Sequence, residues 1–229
     1  MNKTIVVVGA SRGIGKELVK LLAANPAHHV LALARNTAAL AELSTFPNVQ
    51  VQVFDLNTQD VRGKATALFA GLERIDILVN NAGKLVNKPF LELTPADLEE
   101  SYQVNVIGVM QTVQAAVPKM LSTGGHIVNI SSMGGFQGTV KFAGLSAYST
   151  SKAAVVSFTE LFAEEYKDTA IKMNCLCLGS VQTEMLEAAF PGYQASVSAP
   201  QMANYIADFA LHAHQWMHGR IIPVSLTTP

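Results

Sequence analysis

The feature that most constrains this chain is an apolar run ending in a glycine-rich turn: Thr4-Ile5-Val6-Val7-Val8, then Gly9-Ala10-Ser11-Arg12-Gly13-Ile14-Gly15. β-Branched side chains crowd a helix and favour a strand. The glycines that follow give the backbone freedom at a sharp bend. From Gly15 to Ala24 the chain carries Leu18, Leu21 and Leu22 on one side at helical spacing and stops before Asn25-Pro26. Strand, tight turn and helix in that order make a βα unit. Such a helix start presents free N–H groups and a positive dipole end, which suits a pyrophosphate. A purely structural turn is the alternative if the glycines are read alone.

The alternation continues along the chain. Further strands are expected at Val30–Ala34, Val49–Phe54, Ile75–Val79, His126–Ile130, Ile171–Leu178 and Arg220–Val224. Most are nearly continuous apolar runs, as when helices cover both faces of a parallel sheet. Thr94-Pro95, with Asp97 two residues on, has the form of a helix start, and Ser146–Lys167 carries Ala153, Val156, Phe158 and Leu161 at helical spacing. The pattern predicts an α/β, doubly wound parallel sheet of Rossmann-like type, about seven strands with helices on both faces. With 229 residues, 49% of them hydrophobic, and no repeat or linker, a single domain over 1–229 is expected.

A net charge of −1 and only 14% charged residues leave no basic stripe for nucleic acid or an anionic membrane. No apolar run approaches membrane-spanning length, and the first residues are too soon broken by glycine for a signal peptide. The two cysteines, Cys175 and Cys177, stand two apart on one strand, where side chains point alike and bridge poorly. A cytoplasmic protein is expected. His212, His214 and His218 cluster without a local carboxylate or cysteine to complete a metal site, so no metal is expected.

Two further patterns point to chemistry. At the end of the second strand, where a carboxylate would accept bonds from the adenosine ribose of NAD, the chain reads Leu33-Ala34-Arg35-Asn36. Arg35, with Arg12 in the glycine turn, suits a 2′-phosphate and favours NADP(H); solvated surface charge is the alternative. Tyr148 and Lys152 are four apart in a helical pattern and share a face. A lysine cation favours the phenolate and should pull the tyrosine pKa down towards that of a working acid–base group. Ser131-Ser132 closes a strand at the edge where ligand crevices form.

With these motifs the chain resembles the short-chain dehydrogenase/reductase family over nearly its whole length. The resemblance implies that Gly9, Ser11, Arg12, Gly13, Ile14 and Gly15 hold the dinucleotide, with Arg35 and Asn36 beside its ribose. It places Asp55 and Leu56 at the adenine, and Asn81, Ala82 and Gly83, from Asn80-Asn81-Ala82-Gly83, along the adenosine side. Gly179, Val181 and Thr183 would meet the nicotinamide carboxamide. The implied catalytic set is Asn105, Ser132, Tyr148 and Lys152, with Ser132 preferred to Ser131 and with Tyr148 and Lys152 also touching the cofactor. The function implied is NADP(H)-dependent hydride transfer to or from a small carbonyl or secondary alcohol. A silent NADP(H)-binding sensor on the same fold is the alternative. An epimerase would need more than the roughly 45 residues after Thr183.

The chain departs from the family pattern at Val8, where threonine is common, and at Leu178, which replaces a proline. The segment around Thr139–Phe142 is longer than usual and the stretch after Thr183 short for a lid. Phe142, Met185, Leu186, Phe190 and Tyr193 are candidate pocket walls, with simple packing the alternative. By resemblance, Gln103–Leu121 and Ala147–Lys167 would pair across subunits in a homodimer or homotetramer.

Overall fold

In the computed structural model, which describes residues 2–226, seven strands form one parallel sheet in the order β3-β2-β1-β4-β5-β6-β7. They are β1 Lys3–Val8, β2 His28–Ala34, β3 Val49–Val53, β4 Ile77–Asn80, β5 Gly125–Ser132, β6 Ile171–Leu178 and β7 Ile221–Val224. The α-helices are α1 Gly13–Ala23, α2 Thr37–Ala41, α3 Val61–Phe69, α4 Pro95–Tyr102, α5 Gly108–Ala116, α6 Ser146–Glu165, α7 Glu184–Ala189 and α8 Ala199–His212.

Strand alternation divides the core. Ile5, Val7, Ile77 and Val79 turn to one face, where Leu18 and Leu22 of α1 meet Met202, Ile206 and Ala210 of α8. Val6, Val8 and Leu78 turn to the other, against Val61 and Phe69 of α3, Val113 of α5 and Phe162 of α6. Both faces are buried, which is why the strands read as unbroken apolar runs. Strand order reverses between β1 and β4, and the carboxyl ends there open a crevice.

The expected strands form, with small shifts at their ends. β4 begins at Ile77 because Asp76 caps β1 instead, its Oδ2 accepting from the Thr4 amide at 2.7 Å. Thr94 and Asp97 form a reciprocal capping box at the start of α4. The expected helix Gln103–Leu121 is interrupted: a π-helical turn over Gln103–Ile107 joins α4 to α5, and a 3₁₀ turn follows at Val117–Lys119. Such turns re-aim side chains within a helix, and this one carries Asn105.

The histidines lie at the far end of the sheet. His126, at the start of β5, donates from Nδ1 to the Ala210 carbonyl at 2.9 Å and accepts from Asn174 Nδ2 at 3.0 Å. Burial pushes its pKa down to about 4, aided by His214, His218 and Lys3 nearby. The His214 ring lies tilted against it at 5.4 Å, while His218 accepts from the Met173 amide and His212 pairs with Asp208 on the surface. Each side chain has a separate packing or pairing role.

Candidate active site

The crevice at the carboxyl ends of the strands is a cavity of about 590 Å³. At its entrance Gly9 adopts φ +89°, and a Cβ there would lie 2.6 Å from the Ala82 backbone. Gly13, at φ +51°, bends the chain into α1. Gly15 contributes differently: a Cβ would fall 2.0 Å from the Gly9 carbonyl oxygen, which already accepts from Asn81 Nδ2 at 3.0 Å. Gly15 therefore allows the turn to close on itself, and it does not line the cavity. Gly9, Ser11, Arg12, Gly13 and Ile14 do line it. The α1 N-terminus has no side-chain cap, so its leading amides remain open to an anion.

Next to the turn, Arg35, Asp55 and Leu56 line one end of the cavity, with Asn81, Ala82 and Gly83 along its length. The Arg35 Nε stands 4.0 Å from Asp55 Oδ1, and both side chains are largely exposed. The Asn36 side chain caps α2, accepting from the Ala38 and Ala39 amides, and does not line the cavity. Asx side chains compete well for such free amides.

Further in, Ser132, Tyr148 and Lys152 line the same cavity. Alternation on β5 separates the two serines. Ser131 points at α6 and donates to the Lys152 carbonyl at 2.8 Å, whereas the Ser132 Oγ accepts from the Gly134 amide and interacts with the Tyr148 phenol. Lys152, only 4% exposed, donates from Nζ to the Ile130 carbonyl at 2.9 Å. Its ammonium stands 5.9 Å from the Tyr148 ring centroid. Burial pulls this ammonium down to about 8, with Cys175 and Cys177 beneath it as weaker opposing influences. The tyrosine differs from the expectation. Burial pushes its phenol up to about 12, partly offset by the hydrogen bond from Ser132.

Asn105 is fully buried behind this group and does not line the cavity. Its Oδ1 accepts from the Lys84 amide at 2.8 Å, and its Nδ2 donates to the Lys84 carbonyl and to Ser151 Oγ, both at 2.9 Å. Ser151 in turn donates to the Tyr148 carbonyl at 2.7 Å. A Cβ on Gly83 would sit 3.3 Å from Lys152 Nζ and 3.5 Å from Asn105 Oδ1, so the glycine keeps open the space where these groups converge.

Gly179, Val181 and Thr183 line the cavity after β6. The Gly179 amide donates to the Val224 carbonyl at 2.9 Å, so β7 braces a loop whose usual proline is Leu178. Phe142, Met185, Leu186, Phe190 and Tyr193 all reach the wall. Sequence reading missed Asn87, whose Nδ2 donates to the Ala189 carbonyl at 2.8 Å and ties α7 to the segment after β4. It also missed Glu184 and Leu145 on the wall. A partner 102 positions away leaves no local pattern to read.

A profile of the short chain dehydrogenase family matches residues 3–194. Among curated proteins, the chain is 34% identical over 187 residues to dehydrogenase/reductase SDR family member 6 of Xenopus laevis, covering 81% of this chain and 74% of that one. It is also 34% identical over 204 residues to oxidoreductase UcpA of Salmonella typhimurium, covering 82% and 72%. Among solved structures, a short chain dehydrogenase from Escherichia coli CFT073 complexed with NADPH superposes with a TM-score of 0.86 at 28% identity, covering 97% and 96%. The RhlG/NADP active-site complex of Pseudomonas aeruginosa superposes at 0.83 with 27% identity, covering 97% and 94%. The motifs, the sheet order and these likenesses agree: the chain belongs to the short-chain dehydrogenase/reductase family of oxidoreductases.

Proposed function

We propose that this protein is an NADP(H)-dependent reductase of small-molecule carbonyl compounds, working through Tyr148. The observation that carries the reading is that Ser132, Tyr148 and Lys152 meet in one cavity with the glycine turn. The cradle fits a dinucleotide because glycine at Gly9 lets the turn close against the Ala82 backbone and the α1 amides face the cavity uncapped. Arg12 and Arg35, with no carboxylate at the end of β2, support a 2′-phosphate over a bare ribose. Asp55 and Leu56 would border the adenine, and Gly179, Val181 and Thr183 the carboxamide. NADP(H) in the related solved structures points the same way.

When bound, the nicotinamide supplies or takes the hydride. Ser132 donates to the substrate oxygen and holds it beside the phenol. Tyr148 gives that oxygen its proton, and a phenol held near 12 is fully protonated at neutral pH, the state reduction requires. Lys152 presents a positive charge that stabilises the phenolate left behind. Asn105 fixes the Gly83–Lys84 backbone next to that ammonium, and by the family resemblance it would hold a water for proton relay.

A homodimer or homotetramer is proposed through α4–α5 and α6, where Leu98, Tyr102, Ile107 and Leu161 are exposed. Two buried free cysteines suit the reducing cytoplasm. Among the described residues no helix is long and apolar enough to cross a membrane. The reading is tested by following NADPH absorbance across a panel of ketones, aldehydes and diketones, with NADH in parallel. Turnover with NADPH well above that with NADH is expected; turnover with NADH alone contradicts the cofactor assignment.

A further inference from the structure

Leu85, Met133, Phe142, Leu145, Phe190 and Tyr193 line the same cavity as Ser132 and Tyr148. Among the described residues, the charged side chains that line the cavity lie elsewhere or are engaged. Arg12, Arg35 and Asp55 belong to the end beside the glycine turn. Lys152 is committed to the Ile130 carbonyl. Glu184 opens α7, its carboxylate 3.4 Å from where a Gly13 Cβ would lie.

Three other lysines ring this end, and none lines the cavity. Lys84 pairs with Glu100 at 2.9 Å and Lys88 with Asp97 at 2.7 Å. The Lys141 ammonium donates to the Gly134 and Phe136 carbonyls and to Thr139 Oγ1. An anionic group entering here would meet apolar and aromatic walls and, among the described residues that line the cavity, no free ammonium. Burying a charge without a partner is strongly unfavourable, whereas rings pack well on Phe142, Phe190 and Tyr193. The wall is also held in place: Asn87 donates to Ala189 at the end of α7, and the Lys88 amide donates to Gly144, just before Leu145.

We propose that the substrate is an uncharged carbonyl compound with an apolar, ring-sized body, and that carboxylates and phosphate esters are excluded. The placement of its carbonyl rests on the functional reading above; the exclusion of charge rests on the wall itself. Acetophenone and cyclohexyl ketones, with 4-acetylbenzoate as the charged counterpart, serve as probes in ligand-observed NMR titrations of the protein with and without NADP⁺. The neutral ketones are expected to bind at least about tenfold more tightly than the carboxylate. Phe142 is more than half exposed at the rim, and Phe142→Arg is expected to narrow that ratio to about twofold by giving the carboxylate a partner. Equal or tighter binding of the carboxylate to the unaltered protein overturns the proposal. So does a ratio unmoved by Phe142→Arg, or no binding of any ring ketone. Failure to bind or oxidise NADPH would instead overturn the functional reading, and the ratio on cofactor-free protein would still be measured.

Discussion

Lys152 is costly to the fold, and its removal should stabilise the protein while silencing it. The side chain is 4% exposed, has no carboxylate partner among the described residues, and is pulled from its ordinary 10.5 down to about 8 by burial. Each pKa unit is about 1.4 kcal/mol, so holding the ammonium in the folded state costs about 3 kcal/mol wherever both folded and unfolded chains carry it. Because the folded value is depressed, the unfolded chain binds more protons between pH 8 and 10.5. The penalty is thus complete below pH 8 and fades as pH rises, to less than about 1 kcal/mol by pH 10. Lys152→Met keeps most of the packing and loses the bond to the Ile130 carbonyl, worth about 1 kcal/mol. A net gain of about 2 kcal/mol is expected at pH 7, disappearing near pH 10, with turnover lost. Urea unfolding of both cofactor-free proteins at the two pH values measures it. A variant less stable at pH 7, or a difference that ignores pH, would refute the reasoning.

His126 carries the same sign of dependence in a more acid window: burial depresses it to about 4, so stability is lost as pH falls from about 6.5 towards 4, by about 3 kcal/mol. His126→Gln should flatten that acid limb in unfolding curves taken between pH 4 and 7. Gly9→Ala places a methyl at φ +89° against the Ala82 backbone; a loss of about 2 kcal/mol or more is expected, together with weaker NADPH binding in a fluorescence titration. Arg35→Asp should raise the Kd for NADPH about tenfold or more while sparing NADH, in paired equilibrium titrations.

The sheet was legible because its strands are buried on both faces, so Ile5 to Val8 and Ile171 to Leu178 read as continuous apolar runs. The glycine turn and the Tyr148–Lys152 pair were legible because their roles depend on spacing within one element. Less legible was anything set by tertiary environment. Asn36 looks like a ribose neighbour in sequence, but free amides at the start of α2 claim it. The direction of the Tyr148 shift is set by how deeply the phenol is buried, which a four-residue spacing leaves open. Asn105 needed a π-helical turn to reach the Lys84 backbone, and no periodicity announces one. The five apolar wall residues could equally have been core until Asn87 tied α7 across the cavity.

The central claim is that Tyr148 donates the proton in a cavity that separately holds the cofactor. Turnover of NADPH with the best carbonyl from the panel, compared between the unaltered protein and Tyr148→Phe, tests it most directly when NADPH binding is titrated on both. Loss of turnover by about a hundredfold or more, with NADPH affinity within about twofold, is the result predicted. Near-unaltered turnover in Tyr148→Phe would contradict the account.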